Sequence, residues 1–240
     1  MNDQSSVWII DAGNTRIKLR ELHGERTVRS IVLYWPLLTS EFIESNKNIF
    51  NKCRAILTKV ASHHSLTLLL TQFEKVIEIN HQLIKQHFGF NTEYIDPNQL
   101  GIDRLLASLG ARLLFESPNL AVINAGTATT VELINNQTHK GGMIIAGNQL
   151  MLNSLFTAQQ LPKLNVDRAI KIGKDSYNCM QTGLAFMNQG LVLAIVKEYK
   201  VDNLIICGGN ANQFANMDTS IHIIPDLIMQ TLTKLSTRLL

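Results

Sequence analysis

Apolar positions along the chain fall in short runs rich in β-branched residues, separated by glycine turns. Val7–Ile10 is the first such run, closed by Asp11-Ala12-Gly13. The next residues, Arg16-Ile17-Lys18-Leu19-Arg20, alternate polar and apolar and read as a second strand. Ala12-Gly13-Asn14 is therefore expected to be a hairpin loop rather than the start of a helix. Ile31–Tyr34 and Ala55–Val60 read as further strands, Ser65–Lys75 and Gln82–Phe88 as helices. After Pro97, Asn98 and Gly101, the run Arg104–Glu116 predicts a helix with Leu105, Leu109 and Leu113 on one face and Leu106 beside them. A strand at Leu120–Ile123 turns at Asn124-Ala125-Gly126 and returns through Thr130–Ile134. Gly141-Gly142 opens another apolar stretch ending at Gly147. Ser176–Val196 reads as a long helix, Asn203–Cys207 as a strand closed by Gly208-Gly209, and Ile228–Leu240 as a final helix.

Two of these segments carry nearly the same text. Val7–Thr15 and Ala121–Thr129 each run from apolar residues through an acid or its amide to Ala-Gly, then to hydroxyl or amide side chains. Asp11 and Asn124 stand 113 residues apart in a chain of 240. The pattern predicts a duplicated strand–turn unit and two similar halves, 1–103 and 104–240, facing one cleft suited to a phosphate-bearing ligand. No Gly/Pro/Ser-rich linker separates them, so the helix beginning at Arg104 is expected to join them.

Composition narrows the class. With 45% apolar and 17% charged residues, the chain fits a soluble globular protein. The net charge of +3 is scattered and forms no basic stripe, which argues against a nucleic-acid partner. No window approaches 18 uninterrupted apolar residues and no basic-then-apolar leader opens the chain, so no membrane association is expected. Cys53, Cys179 and Cys207 lack metal-ligand or redox spacing, which predicts reduced thiols and a cytoplasmic setting.

Several side chains have both a chemical and a structural reading. Asp11 ends a buried strand, where a carboxylate can hold hydrated Mg²⁺ against phosphates, or can cap the hairpin as an Asx turn. Lys18 can point back at a phosphate or be an exposed edge lysine. The loop N–H groups, Asn14 and Thr15 can cradle a phosphate. Thr127, Thr129 and Thr130 offer hydroxyls around the second turn and are equally good strand formers. Asp103-Arg104 places a base beside an anion-binding fork, or a carboxylate that stabilises a helix start. Gly208-Gly209-Asn210 offers bare backbone to a ring or ribose, or is a plain turn. The seven histidines show no ligand spacing, and His63-His64 reads as a surface loop pair.

The ordered set of motifs resembles type III pantothenate kinases. It comprises Asp11-Ala-Gly-Asn14-Thr15-Arg-Ile-Lys18, Gly101-Ile-Asp103-Arg104, Asn124-Ala-Gly-Thr127-Ala-Thr129-Thr130 and Gly141-Gly142 through Gly147. Thr157-Ala158 with Leu161-Pro162, Ile172-Gly173 with Gly183, and Cys207-Gly208-Gly209 match the same family, so the likeness runs from about residue 7 to the end. It implies an α/β fold of two ribonuclease-H-like halves with mixed sheets, of the acetate kinase, Hsp70 and actin superfamily. It implies ATP-dependent phosphorylation of pantothenate to 4′-phosphopantothenate, the opening step of coenzyme A synthesis.

By motif position, Asp11, Ala12, Gly13, Asn14, Thr15, Arg16, Ile17, Lys18 and Thr127 would hold ATP, with Asp11 binding Mg²⁺ through water. Asp103 would be the general base. Tyr94, Gly101, Ile102, Asp103 and Arg104 would bind pantothenate, and Ser176 stands where a threonine usually contacts the partner subunit's substrate. The resemblance also implies a homodimer and a monovalent cation, K⁺ or NH₄⁺. Two positions depart from the pattern: Asn124 replaces the aspartate that contacts that cation, and Ala146-Gly147 replaces proline-glycine. The alternatives are a non-catalytic nucleotide-binding relative acting as a regulatory factor, and a sugar or acetate kinase of the same superfamily.

Overall fold

A computed structural model describes residues 6–60, 62–159, 172–214 and 221–240. The chain divides into two compact units: residues 1–91, 95–106 and 228–240 form the first, and 92–94 with 107–227 the second.

The first unit is built on a five-stranded sheet in the order β3-β2-β1-β4-β5. Its strands are β1 (Val7–Ala12), β2 (Arg16–His23), β3 (Arg26–Tyr34), β4 (Arg54–Lys59) and β5 (Lys75–Glu78). β1 is antiparallel to β2 and parallel to β4. As the central strand it is covered on both faces, which is why Trp8, Ile9 and Ile10 run on without polar interruption. Trp8 packs edge-on against Phe50 at 4.9 Å between ring centroids. Three helices belong to this sheet: α1 (Ser40–Phe50), α2 (His64–Leu70) and α3 (His81–Phe88). Thr39 caps α1 and Asn80 caps α3 by accepting N–H bonds from Phe42 and Leu83, and Gly89 ends α3 at φ +63°.

The second unit repeats the plan. Its sheet runs β11-β10-β7-β8-β9-β6. The strands are β6 (Asn91–Thr92), β7 (Asn119–Ala125), β8 (Ala128–Asn135), β9 (Thr138–Ala146), β10 (Asn203–Cys207) and β11 (Ile221–Ile223). β7 is antiparallel to β8 and parallel to β10, as β1 is to β2 and β4. The series β9-β8-β7-β10-β11 thus reproduces β3-β2-β1-β4-β5 strand for strand, with β6 added at the edge. Both sheets have the ribonuclease-H-like arrangement.

The remaining helices are α4 (Ile102–Leu114), α5 (Asn148–Gln159), α6 (Ser176–Tyr199) and α7 (Leu227–Leu239). α4 passes in the chain from the first unit into the second. It is buried on all sides from Arg104 to Ala111, not along one stripe, while Leu113 is only half-buried. α7 follows β11 as α3 follows β5, and it groups with the first unit: Arg54 on β4 donates to the Leu240 carbonyl at 3.0 Å, and the Arg238 guanidinium lies over the Phe88 ring. α6 is long and apolar enough to cross a membrane by length and composition. It also carries buried Gln181, Thr182 and Asn188 and packs on α5, through Leu184 against Leu152 and Phe156.

Two local expectations change. The predicted helix Ser65–Lys75 stops at Leu70, because Lys75–Glu78 pairs in parallel with β4 and Phe73 turns into the core. Strand pairing overrides helical periodicity there. The His63-His64 pair divides: His64 opens α2, whereas the half-buried His63 ring stacks on Trp35 at 3.9 Å. Of the matched segment Thr157–Pro162, Leu161 and Pro162 lie outside the described residues.

Candidate active site

In the first unit, the β1–β2 hairpin is the centre of the predicted phosphate site. Asp11, one residue from the end of β1, is in register with Lys18 on β2 and Thr58 on β4, so the three side chains share one face. Lys18 Nζ stands 3.3 Å from Asp11 Oδ2. β2 is an interior strand, so Lys18 is not an edge lysine. Burial pushes the Asp11 carboxyl above its usual range, against the opposing pull of Lys18 and Arg16. A buried carboxylate of this kind gains from a nearby cation, which fits hydrated Mg²⁺. Among the described residues no group of three His, Cys, Asp or Glu could hold a metal. Asp11 therefore suits a metal shared with a ligand's phosphates rather than a protein-only cage.

The loop itself is pinned from three sides. Gly13 N–H donates to the Arg16 carbonyl, Val60 N–H to the Ala12 carbonyl, and the Trp35 indole to the Gly13 carbonyl at 3.0 Å. Asn14 and Thr15 stand exposed at the tip and Arg16 half-exposed. Ala12 and Ile17 bury their side chains in the core, so their main chain is what they offer a ligand.

Gly101, Ile102, Asp103 and Arg104 form the start of α4 in the same unit. The Gly101 carbonyl accepts from Arg104 and Leu105 N–H. A Cβ on Gly101 would sit 2.6 Å from Asp103 Oδ1, so the carboxylate folds back over bare glycine. Arg104 is buried beside it.

In the second unit the matching hairpin places Asn124 in register with Thr130 and Cys207. Thr130 Oγ1 is buried without a hydrogen-bond partner among the described residues. Glycine backbone closes in on both sides. A Cβ on Gly147 would meet the Thr127 carbonyl at 2.4 Å, and one on Gly208 (φ +91°) would meet the Ala125 carbonyl at 2.5 Å and Asn124 Oδ1 at 2.6 Å. Asn210 donates from its backbone to the Ala125 carbonyl and from its side chain to that of Gly126. Gly208 and Asn210 therefore brace the turn, while Thr127 stands exposed at its tip.

Tyr94 and Ser176 also lie in the second unit. Tyr94 follows β6, its ring 6.0 Å from that of His139. Ser176 is the exposed first residue of α6, capped by Asp175, whose carboxylate accepts the Asn178 N–H and is held below its usual range by that bond. Gly173 packs on the main chain of Asn178 and Cys179.

These hairpins and the α4 start lie within a family match: residues 7–198 fit the model described as type III pantothenate kinase. The chain belongs to the type III pantothenate kinase family. It is similar to the type III pantothenate kinase of Flavobacterium johnsoniae, with 30% identity over 87% of this chain and 88% of the relative. The enzyme of that name from Hahella chejuensis is 26% identical over 93% and 94%. Among solved structures, a Campylobacter jejuni protein described as a Baf family transcriptional activator superposes with a TM-score of 0.61 at 21% identity, covering 96% of this chain and 98% of that one. A ROK hexokinase from Thermus thermophilus gives 0.51 at 11%, covering 97% and 99%. These two show the fold alone: two α/β units, each built on a mixed sheet.

Two features of this chain were not legible in the sequence. Trp35 holds the first loop from 22 positions away, and nothing local marks it. Glu132 and His139 form a fully buried pair on the β8–β9 hairpin. A Glu and a His on facing strands around Asn136-Gln137 were the available signal.

Proposed function

We propose that the protein transfers the γ-phosphoryl group of ATP to the hydroxyl of pantothenate, giving 4′-phosphopantothenate and ADP, the opening step of coenzyme A synthesis. The family match over residues 7–198 carries this reading, since it spans both hairpins and Asp103.

Phosphoryl transfer needs positioning and charge neutralisation, with one group to take the acceptor's proton. The main chain of Ala12 to Ile17, with Asn14, Thr15, Arg16 and Lys18, and the Thr127 hydroxyl hold the phosphates. Asp11 holds Mg²⁺ through water, and when bound that ion neutralises phosphate charge. Asp103 accepts the hydroxyl proton as the oxygen bonds to phosphorus and ADP leaves. Gly101, Ile102, Arg104 and Tyr94 bind pantothenate. Asn124 and Thr130 offer neutral oxygens to a monovalent cation, K⁺ or NH₄⁺, with no carboxylate to strengthen it.

The enzyme acts as a homodimer in which Ser176 reaches the partner subunit's substrate. Exposed Phe186, Met187 and Leu193 along α6 support such pairing. Cys53, Cys179 and Cys207 are free thiols, which suits a cytoplasmic setting.

Purified protein with ATP, Mg²⁺ and pantothenate is expected to release ADP in step with pantothenate, and Asp103→Asn to lose this while still binding ATP. If wild type and variant are equally silent, the catalytic reading fails and the chain is a nucleotide-binding relative.

A further inference from the structure

The β8–β9 hairpin buries two ionisable side chains that the proposed reaction does not use. His139 pairs across the ladder with Ile134, and Glu132 lies two residues before Ile134, so the two meet diagonally on one face. Both are 0% exposed, with His139 Nε2 at 2.9 Å from Glu132 Oε2. The other ring nitrogen, Nδ1, lies 2.9 Å from Thr92 Oγ1, and that hydroxyl accepts the Tyr94 backbone N–H at 3.1 Å. With neutral imidazole, one proton arrangement satisfies every member. Nε2–H donates to Glu132, Thr92 O–H donates to Nδ1, and Tyr94 N–H donates to Thr92. The chain of bonds runs from the buried carboxylate to the main chain of Tyr94.

β6 is only two residues long and lies at the sheet edge, so its ladder alone is a weak anchor. Beyond it, the Glu93 N–H donates to the His139 carbonyl, and the Lys140–Glu93 ion pair sits on the exposed side. The Tyr94 ring tilts against the imidazole. We infer that His139 and Thr92 are positioning residues that set Tyr94 for the acceptor substrate, through a polar chain rooted on Glu132. This rests on the reading of Tyr94 as a pantothenate-binding residue.

Thr92→Val keeps the shape and the Glu132–His139 pair but removes the hydroxyl, whereas Thr92→Ser retains it. The Val variant loses both hydroxyl bonds, and loss of the one that holds the Tyr94 N–H is expected to raise KM for pantothenate roughly tenfold, with kcat and KM for ATP unchanged. The Ser variant restores the wild-type value. His139→Gln, which keeps a donor to Glu132 but loses Thr92, should show the same signature, and the double variant His139→Gln/Thr92→Val should be no worse than either. An unchanged pantothenate KM in Thr92→Val overturns the inference. So does a uniform loss of kcat and both KM values that follows a drop in Tm. Tyr94→Ala separates the two levels. If it raises pantothenate KM and Thr92→Val does not, the positioning chain alone fails. If Tyr94→Ala leaves that KM unchanged, the placement of Tyr94 fails and takes the inference with it.

Discussion

Lys18 and Asp11 form an ion pair across the β1–β2 ladder, at the place where the second half sets Thr130 opposite Asn124. Identical topology thus carries a charged pair in one half and a neutral one in the other. The charged pair suits a divalent metal bound with phosphates, and the neutral pair suits at most a weakly held monovalent ion.

Burial makes Asp11 costly for the free protein. Its carboxyl is raised above the ordinary value of 3.8 by desolvation, against the pull of Lys18 and Arg16. Over the window from that value up to the raised one, the native state binds this proton more tightly than the unfolded chain does. Stability is therefore lost as pH rises through the window. Asp11→Asn removes the cost. Without ligand, its Tm should exceed that of wild type by about 2 °C near neutrality, and the gap should close toward about pH 4. The same variant should lose about 100-fold in kcat/KM, since it removes charge where the metal and phosphates meet. A lower Tm at neutral pH would show that the Lys18 attraction outweighs desolvation.

The duplicated Asp/Asn-Ala-Gly text made both hairpins legible, because a strand that ends in a glycine turn and returns in alternation has one local solution. The long helix from Ser176 was legible for the same reason, its signal being local. β5 was not, because Lys75–Glu78 is only four residues long and owes its strand state to β4. The buried pair Glu132–His139 escaped because its partner Thr92 lies 47 positions from the histidine. Of the proposed site, glycines and charges could be read, whereas the side-chain bonds that brace the two turns, from Trp35 to Gly13 and from Asn210 to Gly126, are set by tertiary contacts.

Gly101 is tied to Asp103 by space. A Cβ there would come within 2.6 Å of Asp103 Oδ1, and the atom displaced is the free end of a side chain. Gly101→Ala should therefore leave Tm within about 2 °C of wild type while kcat falls roughly tenfold to a hundredfold, the sensitivity expected of a displaced catalytic group. Steady-state kinetics beside a melting curve tests this. Unchanged kcat would remove Asp103 from the chemistry.

Asn124 provides the test of the cation site. Its amide oxygen faces the bare backbone of Gly208, and its neighbour Thr130 has a buried hydroxyl with no partner among the described residues. Asn124→Asp adds a charge without adding volume. Wild-type rates in potassium and in a large organic cation should agree within about twofold, and the variant should be stimulated roughly tenfold by potassium. Indifference in both proteins would mean that no cation binds there.

The exposed face of α6 sets the last expectation. Phe186 is 62% exposed and Leu193 51% exposed, seven residues apart and so on one face of the helix. Gly183 and Gly190 lie in the same row with nothing within 4 Å of a Cβ, which leaves room for a second helix to approach closely. A two-fold axis would bring each residue into the interface twice, so one substitution is counted in both copies. Leu193→Glu buries two charges in the paired state and should weaken association by at least about 100-fold. Light scattering should then give a dimer for wild type and a monomer for the variant, with the circular dichroism of the two superimposable. Activity should fall with dimer content, because Ser176 is proposed to act on the partner subunit's substrate. A wild-type monomer with full activity would remove both the pairing of α6 and the role of Ser176.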